Sequence, residues 1–101
     1  MSKKYTVKKV WKKIEGYDYY VSNCGDVKNI KTGRLLKPQE NTNGYLLVRL
    51  YNDDGFKQFL IQRLVATAFI PNPENKPTVD HISRDRQDNR VENLRWATMI
   101  E

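Results

Sequence analysis

Glycine turns constrain this chain more than any other feature. Asn23, Gly25 and Asp26 form one turn signal, Thr32-Gly33 a second, Asn43-Gly44 a third and Asp54-Gly55 a fourth. Asparagine and aspartate favour turns because their side chains bond back to the chain, and glycine supplies the positive φ that tight turns need. The segments between these turns are short and rich in Tyr, Val, Leu and Phe, as in "DYYVSNCGDVKNI" and "YLLVRLYNDDGFKQFLI". They read as strands paired through tight turns, a small antiparallel sheet of four or five strands. The period then changes. "QRLVATAFI" places Leu64, Val65, Ala68 and Phe69 on one face, the spacing of a short amphipathic helix, and Pro71 and Pro73 end it.

Such a fold is small. The chain has 101 residues, 39% of them hydrophobic, which suffices for one modest core. Its 18 Lys and Arg against 12 Asp and Glu give a net charge of +6. A basic domain of this size suits a polyanion, above all nucleic acid, although a solvated basic surface would carry the same charge. Six lysines, Lys3, Lys4, Lys8, Lys9, Lys12 and Lys13, precede the first acidic residue, Glu15, in an arm that reads as surface. A single cysteine, Cys24, excludes an internal disulfide, and with a single histidine it excludes a Cys/His zinc finger. No apolar run is long enough to span a membrane, and no apolar segment follows the basic start as a signal peptide requires. A soluble intracellular protein is expected.

The single histidine stands in "TVDHISRDRQDNRVENLRWAT", residues 78–98. Val79 to Ile82 read as the end of a strand, Arg84 to Arg90 as a polar loop, and "NLRWAT" as the strand that returns. Adjacent strand residues point to opposite sides, but a twist at the strand end can turn both Asp80 and His81 into one cleft. An aspartate there can hold a hard divalent cation. A neutral histidine can take a proton from water, and an asparagine can orient its ring. Beside a basic surface, these groups suit phosphodiester hydrolysis. An Asp-His pair taken alone is more often a surface feature or a turn cap.

The ordered motifs carry more. "WKKIEGYDYYVSNCGDVKNIKTGRLLKP" resembles the N-terminal NUMOD4-like module of phage-type HNH homing endonucleases. "RLVATAFIPNPENKPTVDHI" and "DNRVENLRWAT" resemble the HNH motif itself. The resemblance implies an α+β chain: a small antiparallel sheet with a short helix, leading into a ββα-metal motif whose final helix is cut short. It implies a division into an N-terminal DNA-binding β module, 1–58, and an incomplete HNH motif, 59–101. His81 would be the general base, Asn93 would orient it, and Asp80 would bind a divalent metal ion, Mg²⁺ or Mn²⁺. Double-stranded DNA would be the partner and the cytoplasm of a phage's host cell the location. Trp96, and also Trp11, Tyr17 and Tyr20, read as packing groups rather than base-stacking ones.

The candidate DNA-binding residues are Lys31, Arg34, Lys37, Arg49, Arg63, Arg84, Arg86, Arg90 and Arg95. Two positions depart from the family pattern. Relatives commonly have a histidine where this chain has Gln62. The residue that completes the metal site would fall at about position 102, beyond Glu101. The ending "TMIE" is a capping box, the start of a helix, so the chain reads as a fragment of a longer enzyme with weak activity, a natural short form, or one whose site a partner completes. Two other functions stay open: a DNA-binding module of the same fold that does not cleave, and a protein-interaction or inhibitor domain.

Overall fold

The structure, a computed structural model, describes residues 8–99. The lysine-rich start through residue 7 lies outside them, and so do the last two residues of the expected capping box. Within them the chain forms three antiparallel units around one helix. The first sheet has the order β1-β2-β3, from β1 (Trp11–Lys13), β2 (Tyr19–Ser22) and β3 (Val27–Asn29). The second has the order β4-β5-β6, from β4 (Gln39–Glu40), β5 (Leu46–Asn52) and β6 (Gly55–Leu60). Helix α1 (Ile61–Phe69) follows. A ribbon of β7 (Thr78–His81) and β8 (Leu94–Ala97) comes last, with a 3-10 turn (Val91–Asn93) before β8.

The expected single sheet is therefore two sheets. The bridge Lys28↔Leu35 extends the first sheet, and Pro38, which has no N–H to give a ladder, stands just before β4. The turn of the long hairpin also differs from expectation. Asn52 pairs with Gly55, so Asp53 and Asp54 form the turn and Gly55 opens β6.

The turn before β3 is stitched by side chains. Ser22 Oγ accepts from the N–H groups of Cys24 and Asp26. Asn23 Oδ1 accepts from Val10 N at 2.8 Å, and its Nδ2 donates to Lys8 O at 3.1 Å. Both sheets then pack on α1. Val21, Val27, Val48, Leu50, Ile61 and Val65 are buried almost completely. Each such side chain contributes about 1.5–3 kcal/mol by leaving water. In β5 the alternation is clear: Val48 and Leu50 face inward while Arg49 and Tyr51 face out. Tyr19 Oη accepts from Tyr51 N at 3.3 Å and joins the two sheets.

Helix α1 joins the sheets to the ribbon. Lys12 Nζ donates to Ala68 O at 3.1 Å, and Trp96 Nε1 donates to Ile70 O at 2.9 Å. Trp96 is thus a packed aromatic group, as is Tyr17, which meets Phe59 edge-on. Gln62 lies on the inner side of α1, 4% exposed, and its Oε1 has no partner among the described residues. Residues 58 and 59, where the sequence reading divides the chain, both lie inside β6, and β6 passes into α1 with no loop between them.

Candidate active site

The β7-β8 register puts Asp80 opposite Arg95 and His81 opposite Leu94. Leu94 belongs to the core, so the strand end carrying His81 is drawn inward. His81 is 6% exposed, whereas Asp80 remains half-buried. The structure brings both into one cleft of about 470 Å³, together with Tyr45, Arg84, Arg86 and Arg95. Arg95 Nε and Nη2 lie 3.2 and 3.0 Å from Asp80 Oδ2, a cross-strand ion pair at the mouth.

The histidine ring is held on two sides. Nε2 lies 2.8 Å from Asn89 Oδ1. Tyr45, from the turn between β4 and β5, stacks on the ring at 5.8 Å with 27° between the planes. Arg86 covers Tyr45 at 5.0 Å and donates to Asn43 O at 2.6 Å. His81 Nδ1 has no hydrogen-bond partner among the described residues.

Asn93, expected to orient His81, does not bond the ring. Its Oδ1 accepts from Ser83 N at 2.9 Å, and its Nδ2 donates to Asp88 O at 2.9 Å. Asn93 is buried and closes the loop between β7 and β8 on itself. The ring's partner is Asn89, four residues earlier. Neither Asn89 nor Tyr45 stands out by spacing. The loop presents two asparagines, both buried, and the alternation of the strands does not tell which one meets the ring.

The candidate basic residues divide in the same way. Arg84, Arg86 and Arg95 share the cleft with Asp80 and His81. Lys37 and Arg49 border a separate hollow beside Tyr51, and Lys31 and Arg34 are exposed near the turn after β3. Arg63 donates to Pro77 O at 2.7 Å and lies over the ring of Trp96. Arg90 is paired with both Asp88 and Glu92. Its hydrogen bond holds the Asp88 carboxyl below the usual carboxylate range, and the two acids raise the Arg90 guanidinium.

Among the described residues lining the cleft, Asp80 alone is acidic, and no three His, Cys, Asp or Glu side chains gather as a cage. This one outward-facing carboxylate would suit a hard divalent cation whose other ligands are water and substrate oxygens, once Arg95 releases it.

Comparison with known proteins agrees along nearly the whole chain. The family model of the NUMOD4 motif matches residues 10–51, and that of HNH endonuclease matches residues 59–101. The chain belongs to the HNH endonuclease family. An uncharacterized HNH endonuclease of Acanthamoeba polyphaga mimivirus is 49% identical over 98 residues, 91% of this chain and 24% of the relative. The DNA endonuclease I-HmuI of Bacillus phage SP01 is 41% identical over 90 residues, 87% of this chain and 52% of the relative. A solved structure of DNA binding and cleavage by the HNH homing endonuclease I-HmuI matches with a TM-score of 0.84 and 40% identity. It covers 90% of this chain and 53% of that one. This HNH chain thus spans from about a quarter to about half the length of these relatives. No helix among its described residues is long and apolar enough to cross a membrane.

Proposed function

We propose that this chain carries the nuclease centre of an HNH endonuclease, which hydrolyses or nicks a phosphodiester of double-stranded DNA with the help of Mg²⁺ or Mn²⁺. The observation that carries this reading is the shared cleft: His81, Asp80 and three arginines line one basic hollow. The arginines suit phosphate oxygens, which a guanidinium can grip with two parallel hydrogen bonds. Asp80 would hold the cation, which when bound stabilises the charge that develops on the phosphate oxygens.

His81 acts as the general base. Nε2 is engaged by Asn89, so Nδ1 is the atom that takes the proton from water. The water oxygen forms a bond to phosphorus, the bond from phosphorus to the leaving sugar oxygen breaks, and that oxygen takes a proton from solvent. By its single cleft carboxylate the chain would hold the cation weakly without DNA. The natural setting is the cytoplasm of a phage's host cell, the source of the I-HmuI relative being a Bacillus phage.

The test is conversion of supercoiled plasmid to open circles in Mg²⁺ or Mn²⁺, with a chelator control. Asp80→Asn and His81→Ala are each expected to slow it by at least about 10²-fold. Nicking at the native rate after either substitution overturns the assignment. A second reading rests on the Asp80–Arg95 pair: if the guanidinium stays on the carboxylate when DNA arrives, the protein binds DNA without cutting. That reading predicts salt-dependent DNA binding with no metal-dependent nicking.

A further inference from the structure

We infer that Asn89 is a positioning residue that fixes the tautomer of His81, and that the Gly25 turn of the N-terminal sheet holds Asn89 in place. The functional meaning of this inference rests on the general-base role proposed for His81. The geometry itself does not.

The 2.8 Å contact between His81 Nε2 and Asn89 Oδ1 is buried, the two residues being 6% and 4% exposed. An amide oxygen only accepts. With the Asn89 amide oxygen turned to the ring, Nε2 carries the hydrogen and Nδ1 keeps its lone pair. In the opposite tautomer Nδ1 would be protonated and unable to take a proton from water, and the Asn89 amide would have to turn its Nδ2 toward the ring.

A loop asparagine can impose this only if the loop is held. The brace comes from the other half of the chain. A Cβ placed on Gly25 would stand 3.0 Å from Asn89 Cβ and 3.2 Å from Asn89 O. No other residue type fits between that turn and the Asn89 backbone without moving one of them. Beside it, Val91 N donates to Asn23 O at 2.8 Å. Asn23 is itself pinned by Val10 N and Lys8 O. A line of contacts thus runs from the start of the first sheet through Asn23 and Gly25 to Asn89 and the ring. Tyr45, also from the N-terminal half, closes the stack on the ring. The sheet module belongs to the catalytic apparatus as well as to the surface around it.

Gly25 has φ +93, so alanine there is strained by conformation as well as by contact. Gly33 separates the two effects: its φ is +74 and nothing lies within 4 Å of the place its Cβ would take. The experiment uses the full chain labelled with ¹⁵N. His81 is its only histidine, so the ring nitrogens need no assignment. Spectra are read at alkaline pH, and backbone dispersion reports folding. The native protein is expected to show one protonated and one bare nitrogen, with the hydrogen on Nε2. Asn89→Asp, which keeps an acceptor, preserves that pattern. Asn89→Ala and Gly25→Ala move the two shifts toward each other as the tautomers mix, while Gly33→Ala leaves them unchanged.

A hydrogen on Nδ1 in the native ring overturns the proposal, and so does a folded Asn89→Ala protein with unchanged ring shifts. Equal behaviour of Gly25→Ala and Gly33→Ala removes the brace. Should Asn89→Ala not fold, the native tautomer and the glycine pair decide. In the plasmid assay Asn89→Ala is expected to lose on the order of 10–100-fold in nicking, as partners that orient a functional histidine do. The ring spectra need neither DNA nor metal. If they behave as stated and nothing nicks, the endonuclease reading falls and the positioning role stands.

Discussion

The β5-β6 hairpin and the loop 82–93 are held by different means. The hairpin is a ladder: six residue pairs run from Leu47↔Leu60 to Asn52↔Gly55, and Leu46, Val48 and Leu50 of β5 reach the core. The loop has no ladder. Some of its N–H groups are taken up by short polar side chains, Asp85 N by Ser83 Oγ, Gln87 N by Asp85 Oδ1 and Ser83 N by Asn93 Oδ1, and others by single carbonyls, Arg84 N by His81 O and Asp88 N by Asp85 O. Removal of one contact from the hairpin leaves neighbours that still pair. In the loop, one asparagine carries two otherwise unmet backbone groups, so a single change can open the whole turn. The hairpin is therefore suited to bearing load, and the loop to holding one ring in one orientation.

The largest test of this contrast is His81→Ala. Nicking is expected to fall by about 10²–10⁴-fold, the usual contribution of a general base. The ring is buried, so stability also falls, by about 1–3 kcal/mol, because Asn89 loses its partner. Denaturant unfolding measured alongside the plasmid assay separates the two losses. If stability collapses in proportion to activity, the loop is core and the contrast breaks.

Leu50→Ala comes next. It empties a fully buried position in the hairpin, and about 2–5 kcal/mol of global stability should go with it. Amide exchange should speed up across both sheets together. Asn93→Ala is expected to cost less, about 1–3 kcal/mol, and to act locally. Exchange should rise at Ser83 and nearby loop amides while β5 and β6 stay protected. Uniform acceleration in the Asn93→Ala protein would show that the loop and hairpin are one cooperative unit.

The smallest effect concerns acid. Arg90 holds the Asp88 carboxyl below its ordinary value near 3.8. The unfolded chain therefore takes up that proton first as pH falls. The stabilisation is complete above pH 3.8 and is lost as pH drops through the lower folded value. Unfolding curves between pH 5 and about pH 2 should show a shallower acid loss in Asp88→Asn than in the native chain. Parallel curves would mean that the pair contributes nothing to the loop.

How far the sequence could be read follows the same division. The strands, the turns and α1 were legible because alternation and helical spacing are written in side-chain type. The pairing of Asp80 and His81 at a strand end was legible because the motif is local. The break into two sheets was not, because the Thr32-Gly33 turn and Pro38 look the same whether the next strand rejoins the first sheet or starts another. The exchange of Asn93 for Asn89 as the ring's partner was also hidden. Both are buried loop asparagines, and the one that meets the ring packs against Gly25, more than sixty residues away in sequence. The packed state of His81 depends on Leu94 and Tyr45, neither of which is adjacent to it in the chain.

The direct passage from β6 to α1 bears on how such a chain can be cut or recombined. Leu60 ends the strand and Ile61, almost wholly buried, begins the helix. A protease finds no exposed tether between this strand and this helix. A cut there would tear an edge strand from its ladder and strip the helix of the sheets it covers. Neither piece would keep its apolar interior, so the pair should travel through recombination as one cassette. A functional graft would take both segments together, with its junctions placed before Trp11 or after Ala97 rather than at the seam between them.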